Sequence, residues 1–141
     1  MPDQPSPNEA YDELAAYTLS HGDPSFIHQH VVDAWYAQHA TADDKPVRLA
    51  FALIGLFLYL ERGYTGRQVQ QVHRVLGNRT PSWPAFPLPA TRGAITVADV
   101  LTAPAGPARD RAIDEWCRSV WAAFATTWPA VERLLREHGV I

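Results

Sequence analysis

Three histidines and a glutamine fall among apolar residues at helical spacing, where a polar side chain costs free energy unless it is satisfied or used. On a helical wheel with His28 as origin, Ile27, Val31, Val32, Ala34 and Trp35 fill one arc. His28, Gln38 and His39 fall inside that arc. His30 and Asp33 fall on the opposite side, where i, i+3 spacing suits a hydrogen bond between them on a solvated face. His73 sits within a second stripe, formed by Val69, Val72 and Leu76. Imidazoles so placed suit proton transfer near neutral pH.

Geometry limits how they cooperate. His28 and His39 stand eleven residues apart, about 16 Å along a helix axis, so they cannot share one metal ion. A site must combine one of them with residues of other helices, such as His73, Arg48, Tyr59 or Tyr11. Arg48, Ala52, Gly55 and Tyr59 share one face of the third predicted helix, and the small pair Ala52 and Gly55 leaves room there for a neighbouring helix or a bound molecule. The metal-binding spacings H-x-x-x-H and E-x-x-H are absent, as is any cysteine pair. No cofactor is expected, and the identity of any metal ligand is unknown; a divalent ion held by single ligands from several helices stays open. No nucleophile elbow, phosphate loop or dinucleotide fingerprint occurs. Cys117 lies inside an apolar stripe and reads as an inert core thiol.

The elements that must position these groups have legible ends. Ser6-Pro7-Asn8-Glu9 reads as a capping box with proline at the first helical position, and Gly22 follows that helix. Asp23-Pro24 opens a second helix running to about Ala40. Asp43 or Asp44 caps a third, which carries the apolar run 49–60 to Arg62 with Gly63 behind it. Thr65 with Gln68 opens a fourth that ends near Gly77-Asn78, and Thr96 with Asp99 a short fifth. Ile113, Trp116, Cys117, Val120, Trp121 and Phe124 repeat at helical spacing after Pro107. Pro129 ends or kinks that helix before a last amphipathic stretch with Val131, Leu134 and Leu135. No segment alternates as a strand does. The expected class is all-α: a compact bundle of about five to seven helices, with 1–6 a flexible N-terminal tail and 7–141 a single helical domain. The exception is 79–93, where Pro81, Pro84, Pro87 and Pro89 interleave with Trp83, Phe86 and Leu88. It reads as a long loop lying against the helices, either a structural strap or a lid.

Bulk properties narrow the setting. A hydrophobic content of 47% with five each of Trp, Phe and Tyr in 141 residues suits one folded domain with a real core. A net charge of −3 without a basic run gives no pull toward nucleic acid. The run 49–60 is too short for a membrane span, which needs about 20 residues. One cysteine and a polar start fit a cytoplasmic protein. A homo-oligomer stays open through the C-terminal Val140 and Ile141.

Taken in order, the residues resemble a family of small bacterial proteins catalogued as a domain of unknown function. The likeness runs from Asp23-Pro24 through Ile27-His28-Gln29, Asp33 and Gln38-His39. It continues through Arg62-Gly63-Tyr64-Thr65-Gly66-Arg67-Gln68-Val69-Gln70 and His73 to Trp83-Pro84, Thr96-Val97-Ala98-Asp99-Val100 and the Trp116 helix. Relatives often begin with a Cys-Pro-x-Cys segment that this chain lacks, so a zinc-ribbon-like element is not carried over. The resemblance implies no activity, but it groups Asp33 with His28, Gln38 and His39, against the wheel.

The resulting expectation is a small enzyme with a pocket between the second, third and fourth helices, acting on a small organic substrate of acidic or natural-product type. His28 or His73 would transfer protons, with Asp33 or Gln38 orienting the ring or substrate. Arg48 or Arg67 would hold a carboxylate or phosphate, and His39, Tyr59 and Trp83 would complete the binding surface. The rival readings are a non-catalytic ligand-binding or accessory module, a metal-dependent bundle enzyme, and a protein whose inward histidines are simply hydrogen-bonded in the core.

Overall fold

In a computed structural model, which describes residues 6–79 and 82–141, the chain folds into seven α-helices and one short 3₁₀ turn, with no strand among the described residues. The helices are α1 (Pro7–Leu19), α2 (His28–His39), α3 (Pro46–Arg62), α4 (Gly66–Arg79), α5 (Val97–Thr102), α6 (Pro107–Ala123) and α7 (Trp128–Glu137). The expected all-helical class is therefore observed. Residues 1–5 of the expected tail and Pro81 of the loop lie outside the described residues; Ser6 belongs to α1 as its cap, its hydroxyl accepting the Glu9 N–H at 3.2 Å.

Several ends follow from local chemistry. Gly63 terminates α3 in the left-handed region, φ +70°, with its N–H on the Tyr59 carbonyl and the Tyr64 N–H on that of Leu58. Thr65 and Gln68 cap α4 reciprocally, at 3.2 and 2.8 Å, and Thr96 and Asp99 do the same for α5. Pro129 sits in the first turn of α7, where its missing N–H costs nothing.

Two starts differ from expectation. α2 begins at His28 because the Asp23 carboxylate first caps a separate turn, accepting the N–H groups of Phe26 and Ile27. Phe26 holds φ +58° there, a conformation disfavoured for a bulky residue. The turn docks on α4: Gly66 N–H donates to the Ser25 carbonyl at 2.7 Å, and a Cβ at Gly66 would collide with the Phe26 carbonyl. α3 begins at Pro46 with Lys45 before it, and the Asp44 carboxylate accepts the Thr41 N–H instead of capping the helix.

α3 is the centre of the molecule. Every residue from Ala52 to Leu58 is buried, so this helix is covered all round by α2, α4, α6 and α7. α2 in turn packs against α1, α3, α4 and α6. It has no single outward face, and the wheel was misleading there: His30 and Asp33, expected on a solvated side, are both buried at 3% exposure, whereas His39 is exposed.

The proline-rich segment is pinned to the helices. Gln38 spans it, donating from Nε2 to the carbonyls of Ile95 (2.8 Å) and Arg92 (3.3 Å), while its Oε1 accepts the Trp116 indole N–H at 2.9 Å. Arg92 returns the bond to the α2 carbonyls of Ala37 and Gln38. Trp83 presents its edge to Phe51 at 5.0 Å and stacks on His138 at 5.6 Å, whose carbonyl accepts from Arg79.

Candidate functional site

Asp33 is the most unusual side chain in the fold. Its carboxyl lies against the backbone of α3 at Gly55, where only the absence of a side chain makes room. Oδ1 accepts the Gln29 amide N–H at 3.1 Å, an i, i+4 pair along α2. Oδ2 is buried and has no hydrogen-bond partner among the described residues. Burial pushes the carboxyl well above the usual carboxylate range, and the Gln29 amide pulls it back only in part. No cation is bonded to it among the described residues, so burial works in favour of the uncharged form.

Gln29 and Asp33 stand at one wall of a cleft of about 270 Å³ between α2, α3 and α4. Val32 and Tyr36 extend that wall, Val47, Arg48, Phe51 and Ala52 form the second, and His73 of α4 closes the third. The His73 ring stacks on Phe51 with centroids 4.8 Å apart, and Nε2 lies 2.8 Å from the Phe51 carbonyl. A carbonyl only accepts, so Nε2 carries the proton and Nδ1 of the neutral ring keeps a lone pair. Burial pushes His73 down to about 4, with the Phe51 carbonyl opposing, so at neutral pH it is an uncharged base. Arg48 is exposed at the rim, its guanidinium over the Tyr36 ring at 5.9 Å. Of the expected site residues, Asp33, His73 and Arg48 thus line one cleft.

The others lie elsewhere. His28 is half-buried toward α1, with Nδ1 2.9 Å from the Thr18 hydroxyl. Gln38 is fully engaged with Trp116 and the proline-rich segment. His39 packs on Trp35 at 3.7 Å, away from the α2–α3–α4 cleft. Arg67 covers the Phe26 ring at 4.2 Å, helping to hold the turn before α2. Trp83 stands one ring away from His73, behind Phe51.

Tyr59 belongs to a second buried polar group on the α6 side. His30 stacks on it almost parallel, centroids 3.6 Å apart, and its hydroxyl donates to Asp114 at 2.7 Å. His30 Nδ1 has no partner among the described residues, and burial pushes the ring down to about 4 against the pull of Asp23 and Asp114. Burial pushes the Cys117 thiol up beside it, as an inert core cysteine requires. Among the described residues no three of His, Cys, Asp and Glu converge to hold a metal ion. No described helix is long and apolar enough to cross a membrane.

Gln29, Tyr36 and Phe51 escaped the sequence reading as site residues. The i, i+4 spacing of Gln29 and Asp33 was the available signal, since such a pair shares one helix face. Tyr36 and Phe51 carry none, being indistinguishable from core aromatics.

A family model described as a family of unknown function (DUF5946) matches residues 1–125, and the chain belongs to that family. No curated protein and no solved structure matches it.

Proposed function

We propose that the protein is a small helical enzyme that moves protons on a small organic molecule seated between α2, α3 and α4. One observation carries the reading: the Asp33 carboxyl is buried with Oδ2 unpartnered, beside a cleft that also presents a neutral His73. An unsatisfied buried polar group costs about 1–3 kcal/mol, and folds retain such groups where they are used.

Roles follow from the protonation states. Asp33, uncharged, gives a proton or a hydrogen bond from Oδ2 once the carboxyl turns out of the notch at Gly55, where that oxygen is sealed from the cleft. His73, uncharged with its Nε2–H fixed on the Phe51 carbonyl, takes a proton at Nδ1. Acid and base of opposite sense beside one cavity are what an isomerisation or elimination needs. Gln29 holds the carboxyl in place, and Val32, Val47, Phe51 and Ala52 limit water around it.

The test is proton exchange. Small ketones and organic acids incubated with the protein in deuterium oxide should acquire deuterium at one carbon, read by NMR. Asp33→Asn and His73→Gln should each slow that exchange by roughly a hundredfold or more, the usual worth of a positioned acid or base. Variants that exchange as fast as the wild type would remove the proposal. Ligand binding without exchange would make the cleft a carrier site instead.

A further inference from the structure

We infer that the ligand of this cleft is a short carboxylic acid whose far end is an uncharged hydrogen-bond donor, a hydroxy acid in the simplest case. Its carboxylate lies at Arg48 and its donor at Nδ1 of His73. This ligand class rests on the reading of the cleft as a site for a small molecule. Asp33, sealed in the notch at Gly55, supplies none of the contacts.

The inner end follows from one hydrogen bond. His73 Nε2 lies 2.8 Å from the Phe51 carbonyl, which can only accept, so Nε2 holds the ring proton and Nδ1 is an acceptor. At pH 8 that state holds even at the ordinary histidine value of about 6.5. Among the described residues, the sealed side-chain nitrogen and oxygen atoms without a partner are His30 Nδ1 and Asp33 Oδ2 alone. His73 Nδ1 has no partner there either, so it keeps open surface, and its ring lines this cleft. The same holds for Gln29 Oε1, since Gln29 spends an amide N–H on Asp33 and leaves its oxygen free. The inner wall thus presents acceptors, whose complement is a ligand donor.

Charge sets the outer end. The cationic Arg48 guanidinium stands at the rim, 5.9 Å over the Tyr36 ring, and joins no ion pair among the described residues. A planar fork of donors beside Val32 and Val47 suits a carboxylate bound through two oxygens. An ammonium is disfavoured as the inner donor. The one carboxyl lining the cleft, that of Asp33, is turned into its notch and does not balance a second charge.

Size completes the class. Arg48 and Phe51 stand three residues apart on α3, a rise of about 4.5 Å, so a chain of a few carbons reaches from one end to the other. About 270 Å³ falls below the roughly 300–1,000 Å³ of drug-sized sites. Val32, Val47 and Ala52 take the carbons between.

Four probes at pH 8 on the intact protein, followed by NMR through the ring nitrogens of His73, test this. 4-Hydroxybutyrate carries both ends, butyrate lacks the donor, 1-butanol lacks the carboxylate, and 4-aminobutyrate puts a cation at the inner end. 4-Hydroxybutyrate should bind about fivefold more tightly than butyrate, the usual effect of one hydrogen bond, and should move the Nδ1 signal further at saturation. 4-Aminobutyrate should bind no more tightly than butyrate. Arg48→Gln, a change at an exposed position, should weaken both 4-hydroxybutyrate and butyrate about fivefold or more and leave 1-butanol unchanged. His73→Phe keeps a ring on Phe51 and, its fold checked by circular dichroism, should bring 4-hydroxybutyrate down to the affinity of butyrate. Butyrate matching 4-hydroxybutyrate, 4-aminobutyrate binding best, or acids that bind Arg48→Gln as tightly as the wild type would each overturn the assignment. Silence from all four probes would overturn it too. The deuterium-exchange test, which depends on neither end group, then decides separately whether the cleft is a site.

Discussion

Asp33 and Gly55 share one volume: the carboxyl on α2 fills the space where any side chain on α3 at that position would begin. A helix-interior glycine costs about 1 kcal/mol against alanine, and the buried carboxyl adds its own desolvation. Both costs meet at one point beside the cleft.

Gly55→Ala therefore reverses the usual sign of that substitution. In place of a gain of about 1 kcal/mol it should lose several, because the new methyl collides with a carboxyl braced by Gln29. Adding Asp33→Ala should recover most of the loss. Urea denaturation of the two single variants and the double variant gives the coupling directly; additive effects would show that the two residues do not compete for that volume.

The carboxyl should also leave a trace in the pH dependence of stability. Burial raises the folded-state value of Asp33, so its contribution is full below about pH 4 and is lost as pH rises through the folded value. Asp33→Asn removes that loss. Measured against the wild type, it should gain up to about 1.4 kcal/mol per pH unit above pH 4 until the folded carboxyl ionises. The groups around Asp33 are Tyr11 on α1, Gln29 and Tyr36 on α2, Arg48 on α3, His73 on α4 and Cys117 on α6. A stability difference that stayed flat from pH 4 to 8 would show that Asp33 titrates normally.

His30 should act in the opposite sense. Its folded value is pushed down to about 4, so its contribution is present above pH 6.5 and lost as pH falls from there toward 4. The loss for one such ring is roughly 3 kcal/mol. Around it stand Tyr59 from α3, Asp114 and Cys117 from α6, and Asp23 from the preceding turn. His30→Phe keeps an aromatic face on Tyr59 and should remove about half of this acid limb in thermal melts between pH 4 and 7, His73 with its equally lowered value supplying the rest. An unchanged limb would assign it to other groups.

Gln38 offers a test of strap against ligand contact. Gln38→Ala strands the Trp116 indole N–H in a fully buried position and frees two carbonyls of the proline-rich segment. It should cost about 2–3 kcal/mol and open residues 82–96 to limited proteolysis. If stability held while ligand binding vanished, Gln38 would be a site residue after all.

How much of this the chain disclosed in advance depended on whether the cause was local. The Thr65–Gln68 and Thr96–Asp99 boxes and the Gly63 stop each close within seven consecutive residues, and each stands where the sequence places it. α2 starts later because Asp23 caps a separate turn that docks on Gly66, a contact between segments far apart in sequence. The facing of His30 and Asp33 was misread because a wheel assumes one dry side, and α2 has helix neighbours on several sides. On sequence alone, Gly55 and Ala52 offer room for a neighbouring helix or a bound molecule. Gly55 receives Asp33, and Ala52 lines the cleft.

The match to the family stops at residue 125, whereas His138, the ring on which Trp83 leans, lies beyond it. Trp83 in turn braces Phe51, and Phe51 braces His73. The far end of the chain therefore stands behind a wall of the cleft: a change at His138 would be felt at His73 through two aromatic rings rather than through any backbone hydrogen bond.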